Sequence, residues 1–229
     1  MTDAVDWHSR IATDFDAKYS HSPSFQERFQ RWSELLLLYV NAESDVLDAG
    51  CGSGVFSEIA ARTARSVLGF DASAEMIAIA NARKARANLS NTTFAVAPLG
   101  DKTVLGGRAF DIILCSSVLE YVDDYWASFD WLAAALKPDG VILFSMPNGA
   151  SLYRKAERLA HTITGRPAYY AYVRNTPHVG EVEAGLSRRG FRIASLQYYA
   201  PAPLLSPIAR SVGRPDLADN LFLIACERA

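Results

Sequence analysis

The chain has 229 residues, a formal net charge of −2 and a composition that is 50% hydrophobic. This composition excludes a disordered protein, and the charge gives no electrostatic reason to expect a nucleic acid as partner. The longest apolar run near the N-terminus, 35–40, is too short to cross a bilayer, and the first thirty residues are unlike a signal peptide. Three cysteines suggest no disulfide framework, and no Cys/His spacing is typical of a zinc site. We therefore expect a cytoplasmic protein with reduced thiols, no metal and no membrane contact.

The first forty residues are predicted to be mostly helical. Four apolar or aromatic residues, from Trp7 to Tyr19, recur near helical spacing over the first part of this segment. Pro23 is expected to start a second helix that continues to Leu38.

From residue 44 onward, short apolar segments alternate with segments of helical pattern. Strands are predicted at 45–49, 66–71, 92–97, 110–115 and 141–146. Helices are predicted at 54–64, 73–88 and 124–136. Ser73 is expected to cap the second of these helices, and 137–140 to form a turn into the fifth strand. Five strands that alternate with helices indicate a parallel sheet covered on both faces.

This alternation ends after the fifth strand. A mostly helical stretch is predicted over 148–178, and a short helix over 181–189. Two final strands are predicted at 191–199 and 221–227. The proline-rich connection between them, 201–220, carries no predicted element, and loops of this length are usually functional or mobile. No domain boundary is evident, so we expect a single domain over 1–229.

A glycine-rich turn after the first predicted strand carries the main functional signal. It reads Asp48-Ala49-Gly50-Cys51-Gly52-Ser53-Gly54, and its glycines allow a tight turn that brings bare backbone against a ligand. The second strand ends in Asp71, whose carboxylate can accept both hydroxyls of a ribose. Together they indicate a nucleoside-binding βαβ unit. A dinucleotide fingerprint would need glycine where Val55 stands, which argues against a nicotinamide dehydrogenase.

The pattern Asp48-x-Gly50-x-Gly52-x-Gly54 resembles the first motif of the class I S-adenosylmethionine (SAM)-dependent methyltransferases. Segments 110–122, 136–143 and 221–226 are similar to the family's fourth strand, the turn into its fifth strand and its last strand. The resemblance covers 44–146, the cofactor-binding core, together with the closing strand pair. It implies a Rossmann-like α/β fold with a doubly wound, seven-stranded sheet of order 3-2-1-4-5-7-6 and an antiparallel last strand. SAM would lie at the carboxyl ends of strands one, two and four.

The outer segments also have implied roles. The N-terminal helices of 1–40 resemble the lid helices of ubiquinone-biosynthesis-type members of the family. The stretch 148–178 would be an insertion after strand five that caps the substrate, and 179–229 would hold the C-terminal helix and strand pair.

The resemblance further implies a set of cofactor-binding residues. They are Tyr19, Arg31, Asp48, Ala49, Gly50, Cys51, Gly52, Asp71, Ala72, Met76, Leu99, Ser116 and Leu119. Arg31 would meet the methionine carboxylate, although a solvated helix arginine is an equal alternative. The family commonly has an acidic residue after strand three, where this chain has Leu99. Apolar contact there would hold the adenine, with Asp101 as a weak substitute.

The implied reaction moves a methyl group from SAM to an oxygen or nitrogen of a small-molecule acceptor and leaves S-adenosyl-L-homocysteine. A general base is needed only when the acceptor atom keeps its proton at neutral pH. Of the four histidines, His178 is the best placed for this role. The alternative is that His178 is a surface residue at the start of a helix. Tyr121, Tyr153 and His178 are expected to bind the substrate, although such tyrosines are also typical of a core.

Other acceptors are less well supported by the sequence. Methyltransferases that act on nucleic-acid amino groups carry Asn/Asp-Pro-Pro-aromatic after strand four, where this chain has Cys115-Ser116-Ser117-Val118. The Pro-Cys of the cytosine-C5 kind is not present either. We therefore favour a biosynthetic small-molecule methyltransferase, either a monomer or a homodimer. An RNA or protein methyltransferase and a non-catalytic SAM-binding scaffold stay open as alternatives.

Overall fold

The computed structural model describes residues 2–229, with side chains from Ala4 onward, so Met1 of the predicted lid lies outside the described residues. Its centre is a seven-stranded sheet. The strands are β1 (Asp45–Ala49), β2 (Ser66–Asp71), β3 (Thr92–Val96), β4 (Phe110–Ser116), β5 (Leu136–Pro147), β6 (Phe191–Tyr199) and β7 (Leu221–Arg228). The helices are α1 (Thr2–Arg10), α2 (Ala12–His21), α3 (Pro23–Tyr39), α4 (Val55–Ala61), α5 (Ala74–Arg86), α6 (Tyr125–Ala134), α7 (Leu152–Thr164), α8 (Val179–Ser187) and α9 (Leu205–Ser211).

The sheet has the order β3-β2-β1-β4-β5-β7-β6, as predicted. The five strands β1 to β5 pair in parallel, and β7 runs antiparallel to both β5 and β6. β1 lies between β2 and β4, so the winding direction of the sheet reverses there. In open α/β sheets ligands bind at this reversal, beyond the carboxyl ends of the strands.

Apolar side chains cover both faces of the sheet. Side chains alternate between faces along a strand, and in β1 Leu47 joins one buried cluster whereas Val46 joins the other. The first cluster includes Phe129 of α6, and the second includes Trp32 of α3. The fold is therefore doubly wound, as the strand and helix pattern predicts. Within residues 2–229 no helix is both long and apolar enough to span a bilayer.

Three local predictions differ from the structure. The N-terminal segment forms three helices instead of two, because the chain leaves helical geometry at Ile11 (φ −104°, ψ 8°). The predicted turn 137–140 lies within β5 as an irregularity, since Leu136 pairs with Phe110 whereas Val141 pairs with Ile112.

The third difference is the connection 201–220, which contains α9 and a 3-10 turn at Pro215–Leu217. The hydroxyl of Ser206 accepts a hydrogen bond from the backbone N–H of Ala202 at 2.7 Å. Arg210 forms ion pairs with Asp219 and with Glu27 of α3. These tertiary contacts stabilise the segment, and the proline-rich local sequence does not predict them.

Helix α8 packs against α6 at a glycine. A Cβ atom on Gly185 would lie 1.8 Å from Cζ2 of Trp126, so no larger residue fits unless the Trp126 ring or the backbone shifts. Gly180, on the same helix, has open space where its Cβ would be, as far as the described chain is concerned.

We predict that Gly185→Ala lowers the free energy of unfolding by about 1–3 kcal/mol, because the added methyl group overpacks the contact with Trp126. Gly180→Ala is the matched control and should be neutral or stabilising by up to about 1 kcal/mol, since alanine favours the helix. Urea unfolding followed by circular dichroism measures both. Equal destabilisation by the two substitutions would contradict the packing argument.

Candidate functional site

A deep cavity opens at the carboxyl ends of β1, β2 and β4, beneath the N-terminal helices. Its empty volume, including the open mouth, is about 1100 Å³. Most of the sequence-predicted site residues line it, namely Tyr19, Asp48, Gly50, Cys51, Gly52, Asp71, Ala72, Met76, Leu99, Ser116 and Tyr121.

The glycine turn forms one wall of the cavity. Gly50, Gly52 and Gly54 have φ values of 72°, 51° and 76°, a region that glycine adopts without strain. A Cβ atom on Gly50 would lie 2.4 Å from Cγ2 of Val118, so the turn also packs too closely for any other residue there. The backbone N–H groups of Gly50 and Cys51 donate to the carbonyl oxygen of Phe70 at 2.8 and 2.9 Å. The turn is thereby fixed against β2.

Asp71 ends β2 and faces the glycine turn. Its Oδ2 accepts a hydrogen bond from the backbone N–H of Gly52, and its Oδ1 accepts one from that of Ser73, both at 2.9 Å. Burial raises the pKa of Asp71, whereas these backbone hydrogen bonds act in the opposite direction. Each carboxylate oxygen can accept further hydrogen bonds, so Asp71 can hold two hydroxyls of a ligand in the cavity.

Asp48 is a buried carboxylate at the floor of the cavity. Its Oδ2 accepts a hydrogen bond from the hydroxyl of Ser57 at 2.6 Å, and its Oδ1 has no partner among the described side chains. Burial raises the pKa of Asp48 to about 7, and the charge of Asp71 acts in the same direction. A buried carboxylate with a free oxygen favours a cationic ligand, which would supply the missing partner.

Arg28 of α3 enters the cavity, and Arg31 does not. One Nη of Arg28 donates to the hydroxyl and the carbonyl oxygen of Ser116 at 2.7 and 3.2 Å. The Nε of Arg28 is buried and has no partner within the part of the chain that the structure describes. Arg31 lies outside the cavity lining, with its guanidinium 3.6 Å from a carboxylate oxygen of Glu34. The cavity therefore contains a buried cation that can meet a ligand carboxylate.

Helical periodicity explains why Arg28 is the inward arginine. The buried residues of α3 are Trp32, Leu35 and Leu36, which define its inner face. Arg28 lies one turn before Trp32 on that face, whereas Arg31 is rotated away from its centre. The sequence contains this signal, although the family resemblance implies Arg31.

Aromatic side chains of the N-terminal helices form the outer wall. His8, Phe15 and Tyr19 line the cavity, and the His8 ring lies edge-on to Tyr121 with their centroids 5.0 Å apart. Tyr19 lies edge-on to Phe56 of α4 at 6.0 Å. Of the described titratable residues in the cavity lining, His8 and Arg28 are the two that the sequence does not predict.

Four other predicted residues also lie outside the cavity lining. They are Ala49, Leu119, Tyr153 and His178. His178 is exposed at the start of α8, where its backbone N–H donates to a carboxylate oxygen of Glu181 at 3.0 Å. Leu119 is buried, and its carbonyl oxygen accepts from the side chain of Asn175 at 2.9 Å.

The insertion 148–178 contributes no residue to the cavity lining within the described chain, but it contacts the elements that form it. The ring of Tyr172 lies 5.6 Å from that of Trp7 on α1. The backbone N–H groups of Arg174 and Asn175 donate to the carbonyl oxygen of Glu120, in the loop after β4, at 2.8 and 3.2 Å. The insertion thereby supports the cavity from outside.

Glu120 is a second buried carboxylate, separate from the cavity lining. It is 3% exposed, and its Oε2 has no partner among residues 4–229. Burial raises the pKa of Glu120 to about 7, against the opposing charges of Arg28 and Arg154. No group of three or more His, Cys, Asp or Glu side chains in the described residues is arranged to hold a metal ion.

We predict that the raised pKa of Glu120 makes stability fall as pH rises. In the folded state Glu120 keeps a proton that it releases near its ordinary pKa in the unfolded state. The stabilisation that this proton provides is lost as pH rises through about 7. Glu120→Gln removes this pH-dependent contribution to the free energy of unfolding. The stability of the variant relative to the original protein should therefore increase by about 1–3 kcal/mol between pH 5 and pH 8.

Urea unfolding at both pH values tests this, with Glu34→Gln on the exposed side of α3 as control. The control should show no such pH-dependent difference. A Glu120→Gln effect of the same size at pH 5 and pH 8 would show that Glu120 is charged in the folded protein throughout.

A family model described as "Methyltransferase domain" matches residues 24–196, more than half of the chain. The ubiquinone biosynthesis O-methyltransferase of Actinobacillus pleuropneumoniae serotype 5b is 36% identical over 107 residues, which cover 45% of this chain and 45% of that relative. Its counterpart in Neisseria meningitidis serogroup A is 31% identical over 120 residues, covering 50% of each. The chain thus spans about half the length of the curated relatives it matches.

Solved structures share the fold over most or all of the chain. Magnesium protoporphyrin IX methyltransferase from Synechocystis PCC 6803, with S-adenosylhomocysteine bound, has a TM-score of 0.76 and 16% identity, covering 100% of this chain and 99% of that one. An N-methyltransferase of Bradyrhizobium japonicum WM9, also in complex with S-adenosylhomocysteine, has a TM-score of 0.66 and 18% identity, covering 92% and 90%. At these identities the likeness is one of fold.

Proposed function

We propose that this chain, which belongs to the class I S-adenosylmethionine-dependent methyltransferases, transfers a methyl group from SAM to an oxygen or nitrogen of a small-molecule acceptor. The observation that carries this proposal is the convergence of Asp71, Asp48 and Arg28 on a cavity walled by the glycine turn. When bound, SAM supplies a methyl group already activated by a sulfonium, so the protein has to bind, align and exclude water.

The charged groups of the cavity match the charged groups of SAM. Asp71 would accept the two ribose hydroxyls. Arg28 would take the methionine carboxylate, with its unpartnered Nε as support for this role. The free oxygen of Asp48 would face the cationic part of the ligand, either directly or through water. Met76 and Leu99 would contact the adenine as apolar surface.

A small acceptor is supported by the roof of the cavity. The aromatic side chains of His8, Phe15 and Tyr121 would contact a planar compound, and the ring contact between Trp7 and Tyr172 connects α1 to the insertion 148–178. The insertion 148–178 would thus cap the acceptor indirectly, by bracing α1 and the loop after β4. The similarity to ubiquinone biosynthesis O-methyltransferases supports a biosynthetic metabolite as acceptor and oxygen as the methylated atom.

The donor-binding role of Arg28 is testable against its neighbour. We expect Arg28→Ala to raise the dissociation constant for S-adenosylhomocysteine about 10- to 100-fold, because a buried, charge-assisted hydrogen bond is lost. Arg31→Ala, one turn along the same helix, should leave the constant unchanged. Isothermal titration calorimetry measures both. If only Arg31→Ala weakened binding, Arg31 and not Arg28 would bind the methionine carboxylate.

The reaction itself is testable with methyl-labelled SAM. The protein is incubated with labelled SAM and a fractionated metabolite extract, and the labelled products are identified by mass analysis. We expect label in a small organic molecule, and less of it with Asp71→Ala, whose donor binding is weakened. Label in RNA or protein would contradict a small acceptor. Normal SAM binding without transfer to any fraction would indicate a binding protein that is not an enzyme.

A further inference from the structure

Among the described residues, His8 is the histidine that lines the cavity, and it lies on α1 of the N-terminal helices. His8 of α1 lines the cavity wall, with its ring 5.0 Å from that of Tyr121 and 6.2 Å from that of Phe15. The next residue, Ser9, donates to the hydroxyl of Ser73 at 2.8 Å, which fixes this turn of α1 over the start of α5. His8 therefore spans the space between the loop after β4 and the end of β2.

The hydrogen bond of His8 sets its tautomer. Its Nδ1 lies 2.8 Å from the carbonyl oxygen of Ala4, one turn earlier on α1. A carbonyl oxygen only accepts, so Nδ1 carries the proton and the lone pair of the neutral ring is on Nε2. No residue in the described chain is hydrogen-bonded to Nε2, which is the ring atom left to meet a ligand.

The surroundings of His8 keep the ring neutral. Burial lowers the pKa of His8, the charge of Asp71 acts to raise it, and the charge of Arg28 acts to lower it. Tyr121 is the titratable group against the ring on the side of the β4 loop, and burial raises the pKa of its hydroxyl, which stays protonated. On the α5 side Glu75 is held by the hydroxyl of Ser73 at 3.1 Å. A neutral imidazole with a free Nε2 is the form that accepts a proton.

We propose that Nε2 of His8 is the general base that removes the proton of an acceptor hydroxyl in this cavity. The proposal rests on the proposed methyl transfer. The O–H bond breaks and its proton moves to Nε2, while an oxygen electron pair forms the new C–O bond. The electron pair of the broken S–C bond stays on sulfur and cancels its positive charge, and the proton later leaves Nε2 for solvent. The acceptor atom is therefore a protonated oxygen, since a neutral amine already offers its lone pair.

The test compares two phenols of different acidity as acceptors. 4-Methoxyphenol keeps its proton at pH 8, whereas 4-nitrophenol is largely ionised and needs no base. We expect His8→Gln to lower kcat for 4-methoxyphenol about 10²- to 10⁴-fold and to have a far smaller effect on 4-nitrophenol. The rate of the original protein with 4-methoxyphenol should fall below the pKa of His8, and the variant should lose this pH dependence. His21→Gln, an exposed histidine of the same lid, should match the original protein.

Two readouts do not depend on turnover. Binding of S-adenosylhomocysteine by calorimetry should be unchanged in His8→Gln. When the histidines are isotope-labelled, the NMR signal that is absent from His8→Gln is that of His8. In the original protein this signal should titrate with a pKa below the ordinary value of histidine.

Several outcomes would overturn the assignment. They are equal losses with both phenols, an unchanged rate in His8→Gln, a loss in His178→Gln alone, methylation of aniline but of neither phenol, or titration of His8 at or above the ordinary value. If the original protein fails to bind S-adenosylhomocysteine, the proposed function fails instead.

Discussion

The hydrogen bond from the backbone N–H of Gly52 to Asp71 joins the two halves of the site. It links the turn after β1 to the end of β2 at 2.9 Å, and the N–H groups of Gly50 and Cys51 reinforce it through the carbonyl oxygen of Phe70. The turn needs positive φ values, and position 50 has no room for a side chain because Val118 lies against it. The position of the Asp71 carboxylate thus depends on the glycine backbone, and so does the shape of this wall of the cavity.

The same region contains several incompletely paired buried polar atoms. Asp48 and Arg28 each have a buried atom with no partner in the described structure, and such an atom costs about 1–3 kcal/mol. A ligand in the cavity that completes the hydrogen bonds of these atoms would remove that cost. The low dielectric that makes them costly also strengthens their attraction to a charged ligand. Stability and affinity for a charged ligand are therefore opposed at these two side chains.

Local signals in the sequence predict part of the structure. Strand pattern, the glycine turn and Asp71 indicate a parallel βαβ core, and the family resemblance that they carry implies the sheet order and most of the predicted cavity residues. Local signals do not predict positions that depend on contacts distant in the chain. The approach of α1 to Tyr121 brings His8 into the cavity, and no periodicity near residue 8 encodes that approach. The position of His178 before strand six favours a place in the acceptor pocket, whereas the structure places it, exposed, at the start of α8 and outside the cavity lining. The packing of α9 likewise depends on Glu27, far away in the sequence.

The rings of Trp7 and Tyr172 connect α1, which contributes to the cavity wall, to the insertion 148–178, and they are tilted by 31° with centroids 5.6 Å apart. An aromatic pair of this kind contributes about 0.5–1.5 kcal/mol beyond the burial of its surface. The insertion is therefore coupled to one wall of the cavity although it does not line the cavity. A substitution in the insertion that displaced Tyr172 would act on the cavity through α1.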